Sequence, residues 1–309
     1  MSLFLGLDTS NYTTSVALLN TQNGQIKSVG KLLPVSDGKL GLRQSDAVFN
    51  HVKALPQIFE ELAEKDLKEV CAIGVSTRPR PVEGSYMPCF NVGIMAAKIL
   101  GTALGVPVRE FSHQEGHIAA VLYASNKMQL LKKTHLAWHL SGGTTELTYV
   151  KPGKNCGLDI EKIGGTTDIS AGQLIDRTGV AIGLGFPAGK AMDELACRSD
   201  SREKFGVKVN NMSFSLSGME NKAKEKMEGG ESAENIAGFV VNTVSDAVYK
   251  ATAQAREKFG DLPVVLSGGV AGNTMLRRAL SEFNPVCADA KFSSDNALGA
   301  AVLASVWQE

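Results

Sequence analysis

The sequence predicts an α/β protein of two domains, built from one unit used twice. Three observations carry this. A length of 309 residues suits about two domains. A short apolar run, a small polar turn and a second apolar run occur twice, over 3–20 and over 134–150. Stretches with helical spacing of apolar residues follow, the longest at 233–259. The first domain is expected over 1–130 and the second over 131–309, with the last helix packing back toward the first.

Apolar residues make up 43% of the chain, enough for a sizeable core. The 32 basic and 32 acidic residues balance, so overall charge makes no case for autonomous binding to nucleic acid or to an anionic membrane. No apolar run reaches membrane-spanning length. Five scattered cysteines without a CxxC pair suit reduced thiols. The opening residues lack a basic stretch followed by a long apolar core, so no secretory leader is expected and a cytoplasmic setting is.

Residues 3–7 read as a buried strand delivering Asp8, Thr9 and Ser10 into a hydroxyl-rich turn, with 15–20 as the partner strand. Such a turn, carrying an Asp, suits phosphate oxygens and a metal-bound water, and an ordinary polar turn accounts for the same residues. Segment 31–41 reads as a connection. Pro56 is expected to bend or divide a helix over 45–65, on which His51 is packed or solvated. A buried strand at 70–76 leads to a proline-stiffened loop where Arg78 and Arg80 either receive an anion or are simply solvated. Small residues Gly93, Ala96, Ala97 and Gly101 mark one side of a helix over 91–104.

Segment 126–133 reads as a polar surface connection. After it the strand–turn–strand pattern returns, its turn being Ser141-Gly142-Gly143-Thr144-Thr145. Two glycines there let a ligand approach the backbone closely. A turn at 164–168, a helix over 170–184, a breaker cluster at 185–190 and a short helix over 192–198 come next. An irregular polar stretch is expected over 202–226. A strand at 263–266 ends in Ser267-Gly268-Gly269-Val270-Ala271-Gly272-Asn273, followed by helices over 274–282 and 295–308.

His113 and His117 stand at i and i+4, on one face of a helix for which Ser112 is the expected N-cap. Such a pair grips a divalent metal if further ligands arrive from elsewhere. Gln114 rather than Glu follows His113, so the helical zinc-protease pattern is absent. Spacing alone fits two surface histidines without a metal equally well.

Three small polar turns after strands, at Ser10, Ser141 and Gly268, the last two glycine-containing, match the way the duplicated actin-like ATPase (ASKHA) fold holds a nucleotide in the cleft between its domains. Taken together, several segments are specific. They are Gly6-Leu7-Asp8-Thr9-Ser10, the helix 92–98, His113-Gln114-Glu115-Gly116-His117, Ser141-Gly142-Gly143 and Asp176 with Gly183 to Pro187 and Gly189. Phe214-Ser215, Ser217-Gly218, Gly268 to Asn273 and Asp295-Asn296-Ala297 complete them. Over nearly its whole length the chain resembles the TsaD family of tRNA threonylcarbamoyl-adenosine synthases, formerly called O-sialoglycoprotein endopeptidases.

The resemblance implies a divalent metal, Fe or Zn, on His113, His117 and Asp295. His139 is a further candidate ligand, and equally a strand side chain that binds nothing. The resemblance also implies an adenine-nucleotide site for ATP, AMP or an acyl-adenylate. Its residues would be Ser10, His139, Leu140, Ser141, Gly142, Gly143, Asp176, Gly189, Asp193, Gly268, Gly269 and Asn273. A tRNA reached through a complex, and protein partners of the tRNA-modification system, are implied in the same way.

Departures from the family pattern fall near the implied reaction centre. Asn11, Tyr12 and Thr13 stand where the family carries Cys-Asp-Glu. Thr144 replaces a His, Gln173 a Glu, and Glu220 a Lys. Lost carboxylates impair any step needing a general base or a second metal, which points to a divergent paralogue. The expectation is therefore a carbamoyl-type transferase with altered catalytic residues. The alternative is a non-catalytic nucleotide-binding partner or regulator of a true synthase. The glycine turns argue against a protease, and the metal histidines against a sugar-kinase-like phosphotransferase.

Overall fold

The computed structural model describes residues 2–10, 12–34, 42–62, 64–288 and 296–307, with the backbone alone at 64 and 65. Asn11, Asp295 and most of the expected connection at 31–41 lie outside the described residues. The chain divides into two compact units, one of 1–133, 151–160 and 295–309, the other of 134–150 and 161–294.

The first unit is built on five strands, β1 (Leu3–Asp8), β2 (Thr13–Asn20), β3 (Ile26–Leu32), β4 (Val70–Arg78) and β5 (Val108–Ser112). Their order is β3-β2-β1-β4-β5, with β1 antiparallel to β2 and parallel to β4. Strand period two sorts the residues of β1 and β4 between two helical layers. Leu5, Leu7 and Val75 join an apolar cluster with residues of α1 (Gln44–Glu60) and α3 (Phe90–Leu104). Their neighbours Gly6 and Gly74 face α10 (Asn296–Val306) instead. A Cβ on Gly6 would lie 1.8 Å from the Ala297 carbonyl oxygen, and one on Gly74 2.0 Å from that of Ala300. Only glycine lets this helix backbone lie on the sheet.

The second unit repeats the arrangement. Its sheet holds β6 (His135–Leu140), β7 (Thr145–Pro152), β8 (Leu158–Thr166), β9 (Ser213–Phe214), β10 (Val264–Ser267) and β11 (Val286–Cys287), the end of β7 from 151 and the start of β8 up to 160 falling in the first unit. Read from β8, the order β8-β7-β6-β10-β11 reproduces that of the first sheet, and β9 is added at the edge. β6 is antiparallel to β7 and parallel to β10, as β1 is to β2 and β4. The core forms between this sheet and α8 (Ala233–Phe259), where Trp138 Nε1 donates to Thr252 Oγ1 at 2.9 Å. A fully buried indole needs such a partner.

Several expected elements differ. Of the bend or division expected at Pro56, the division does not occur there: Pro56 sits inside α1, and the break comes after Glu60, before the short α2 (Glu64–Lys68). The expected connection at 126–133 holds a 3-10 turn, Met128–Lys132, that buries Leu130 and Leu131. Gly164, Gly165 and Thr166 lie in β8 rather than in a turn, and 202–226 is not wholly irregular because α7 (Ser217–Glu228) occupies its end. The α7 sequence is mostly polar, so apolar periodicity is weak there. Its buried residues are Met219 and Ala223, and Met227 packs partly buried against the same core. No helix among the described residues is long and apolar enough to cross a membrane, and all five cysteines are free thiols.

Candidate functional site

The histidine pair rides on α4 (His113–Ala124). Ser112 caps it, accepting from the Glu115 N–H, and the Glu115 carboxylate accepts from the Ser112 N–H and hydroxyl at 2.7 Å each. The other Glu115 oxygen accepts from the Leu158 N–H at 2.9 Å. Glu115 is therefore a buried strut between α4 and the start of β8, not a catalytic base. On the next turn, Gly116 meets the first residues of α10. A Cβ there would stand 3.2 Å from the Asn296 carbonyl oxygen, and one on Gly299 only 1.9 Å from the Gly116 carbonyl oxygen. The helix that opens after Asp295 thus begins beside the histidine pair.

The His113 and His117 Nε2 atoms are 3.1 Å apart. Two Nε2–metal bonds of ordinary length place their nitrogens about 2.9–3.4 Å apart for bond angles from square to tetrahedral. The far side of His113 is held by Asp8 at the end of β1, whose carboxylate lies 3.0 Å from Nδ1. A carboxylate on one ring nitrogen fixes the tautomer that offers the other as a ligand. Burial of Asp8 would raise its pKa, but the His113 ring and hydrogen bonds from His113 and Ser10 outweigh burial and hold it at about 2. The sequence left the Asp8 turn open between a phosphate and metal-water site and an ordinary polar turn, and did not show this contact, which spans 105 residues. Among the described residues, no three His, Cys, Asp or Glu side chains converge on one point. The donor set among the described residues is two imidazoles with a carboxylate behind one of them, a set that could hold Zn or Fe if a further ligand completes it.

His139 belongs to the second unit, where its Nδ1 lies 3.1 Å from Ser267 Oγ. Ser10 donates its N–H and hydroxyl to Asp8. Ser141 closes a tight turn, its N–H donating to the Thr144 carbonyl at 2.8 Å and its Oγ accepting from the Thr144 N–H at 3.1 Å. The turn is tied to α5 (Ala171–Ala181) by Ser170, whose hydroxyl donates to the Gly142 carbonyl at 2.7 Å. Leu140 is fully buried.

The glycines of these turns separate into two kinds. Gly268 has φ +89°, and a Cβ there would strike the Leu140 carbonyl oxygen at 2.3 Å, so the fold itself demands it. Gly142, Gly143, Gly189 and Gly269 have no such φ, and a Cβ on any of them would meet nothing within 4 Å. Neither packing nor backbone conformation requires glycine at these four positions. Open backbone of this kind leaves room for a ligand to approach closely.

The polar residues implied for the nucleotide also do structural work. Asp176 accepts from the Ala188 N–H at 2.8 Å and from Gly189, opening α6 (Gly189–Ala196). Burial raises its pKa and those two hydrogen bonds only partly offset it. Asp193 accepts from the Thr274 N–H and hydroxyl, and Asn273 accepts from the Leu276 N–H at the start of α9 (Thr274–Ala279). Gln173 closes a capping box with Ser170, a task a neutral amide performs as a carboxylate would. Glu220 pairs with Arg177 at 3.1 Å, and Tyr12 and Thr13 are exposed at the start of β2.

Asp168 gathers the Phe214–Ser217 segment. It accepts from the Ser215 hydroxyl and from the Leu216 N–H at 2.8 Å. Burial would raise its pKa, but hydrogen bonds from Ser215, Leu216 and Ser217 outweigh that and depress it well below the usual carboxylate range. A depressed carboxylate adds stability that is present above its unfolded value, near 4, and is lost as pH falls toward the folded value. Asp168→Asn is therefore expected to lower the melting temperature at pH 7 more than at pH 3. Equal losses at both pH values would show that the charge contributes nothing.

The match to the family model for tRNA N6-adenosine threonylcarbamoyltransferase, TsaD, covers residues 41–302. The chain belongs to the TsaD family. A relative of that name from Streptococcus pneumoniae D39 is 32% identical over 311 residues, covering 95% of this chain and 88% of its own. The TsaD relatives are named as transferases, in line with the transferase expected from the sequence. Full-length HypF in its phosphate- and nucleotide-bound form superposes with a TM-score of 0.61 at 15% identity, covering 99% of this chain and 56% of its own. The activator of 2-hydroxyisocaproyl-CoA dehydratase from Clostridium difficile, with bound ADPNP, gives 0.55 at 16% identity, covering 98% and 94%. These likenesses establish the actin-like ATPase fold for this TsaD-family chain.

Proposed function

We propose that this chain transfers a threonylcarbamoyl group from an adenylate to the exocyclic amine of a tRNA adenosine. The new C–N bond forms at the carbonyl carbon, the bond to the phosphate oxygen breaks, AMP leaves with that electron pair, and the amine gives up a proton. His113 and His117 would hold a divalent metal with Asp295, and Asp8 would orient His113. When bound, that metal supplies a Lewis acid. Gly142, Gly143, Gly189 and Gly269 would leave room for the adenylate against the backbone. The observation that carries this reading is the Nε2 pair at 3.1 Å with Asp8 behind it, in a chain of this family. The substrate, tRNA and any partner proteins come from the relatives' name and from the resemblance.

A second reading has one observation in its favour. Tyr12 and Thr13 carry no carboxylate where the family carries two, so a nucleotide-binding paralogue that performs no transfer fits those positions. One assay separates the readings. Purified chain is given threonylcarbamoyl-adenylate, tRNA and the partner proteins of the modification system, and modified adenosine is counted. Turnover by the wild type that falls in His113→Ala supports the transferase. Nucleotide binding by calorimetry without any turnover supports the paralogue. No heat with ATP, ADP or AMP, with or without a divalent metal, removes both.

A further inference from the structure

The chain as a whole is neutral, yet one part of the first unit is not. Between Glu115 and Asp159 the sole acidic residue is Glu146, which is buried and paired with Lys162 at 3.0 Å. Over the same stretch Lys127, Lys132, Lys133, Lys151 and Lys154 are all exposed, and all five belong to the first unit. Asp159 in this stretch and Glu161 just after it in β8 are exposed carboxylates.

Topology gathers these lysines. Lys127 and Lys132 flank the 3-10 turn Met128–Lys132, which packs against α4 with Leu130 and Leu131 buried and the lysines outward. Lys133 leads into β6, and the pairing of His135 with Val150 puts Lys133 and Lys151 at the same end of that ladder. Lys154 begins the turn closed by Gly153 N–H donating to the Gly157 carbonyl at 2.8 Å. The next residue, Leu158, is the one held by Glu115, between the two histidines in sequence. The lysines therefore run beside α4, whose 12 residues span about 18 Å, from its histidine end to its far end.

We propose that this lysine rim is the surface that binds the phosphate backbone of the RNA substrate. The proposal rests on tRNA being the acceptor. Ammonium groups on flexible stems suit phosphates read for charge and not for sequence. None of the exposed large apolar side chains falls within 126–160, so the rim offers nothing to enter lipid or to fill an apolar protein interface.

The test measures tRNA binding by the full chain across salt concentration, for wild type and for Lys127→Gln, Lys132→Gln and Lys154→Gln combined. The variant is expected to bind at least tenfold more weakly, with a plot of log K against log salt shallower by about 2–3, the loss of three phosphate contacts. ATP affinity and melting temperature should not move. A folded variant with wild-type RNA affinity and slope overturns the rim and leaves the substrate reading intact. Absence of tRNA binding by wild type at about 50 mM salt overturns both. Binding to anionic phospholipid vesicles that is lost in the variant, with RNA binding unchanged, overturns the rim as an RNA surface.

Discussion

Wild-type protein purified without chelator or affinity tag is expected to carry about one divalent metal ion, and His113→Ala with His117→Ala to carry none. The two Nε2 atoms converge at 3.1 Å, and Asp8 holds the first ring from behind. Removing both imidazoles leaves no nitrogen donor at that point of the first unit. Transfer should fall about 10²–10³-fold, because a Lewis acid contributes several kcal/mol of charge stabilisation and each 1.36 kcal/mol is tenfold. Asp8→Asn should be milder, weakening metal binding about 10–100-fold, since it disturbs orientation and leaves the ligands in place. Elemental analysis and a competition titration with a chromogenic chelator read both effects. Wild type free of Fe, Zn, Mn and Ni would remove the centre. So would a double variant that keeps its metal.

Gly299→Ala is expected to destabilise the protein by about 3 kcal/mol or more and to weaken metal binding at the same time. The added methyl would lie 1.9 Å from the Gly116 carbonyl oxygen and 2.7 Å from the Gly116 Cα. Both are backbone atoms of α4, so no side-chain rotation relieves the clash. α10 must move away from α4 or from the sheet, and Gly6 and Gly74 hold it just as closely on the sheet side. Moving it carries the start of α10 away from His113 and His117. Urea unfolding followed by circular dichroism, together with the chelator titration, tests both consequences. A variant that unfolds at the wild-type urea concentration and binds metal normally would show that the two helices separate without cost. In an isolated helix Ala is favoured over Gly by about 1 kcal/mol, so the expected sign comes wholly from tertiary contact.

Much of the fold is written locally. Two strand–turn–strand patterns, the 27-residue helix Ala233–Phe259 and the Ser112 cap of the histidine helix are all legible because their signals repeat at two to four residues along the chain. The i, i+4 spacing of His113 and His117 puts them on one helix face in the same way. Other features have no local signal. β3 spaces its apolar residues Ile26, Val29 and Leu32 three apart, β8 loses its alternation after Glu161, and α7 is mostly polar, so their periodicity is faint. Glu115 reads as one more residue of a motif, and only the fold shows that it holds Leu158, 43 residues away. Nothing near Asp8 announces a partner 105 residues on.

The glycines show the division most sharply. Sequence alone sets Gly268 beside Gly269 and Gly142 beside Gly143 as one class of turn residue. Tertiary structure separates them, since Gly268 is required by its φ and by the Leu140 carbonyl, and the other three face open space. By itself the sequence determined most of the strands and helices, and the family, because both are carried by short motifs and short-range periodicity. Which oxygen fixes which imidazole, and which glycine gives way to a neighbouring backbone, was decided only when distant segments packed, because those contacts follow from three-dimensional distance and leave no regular trace along the chain.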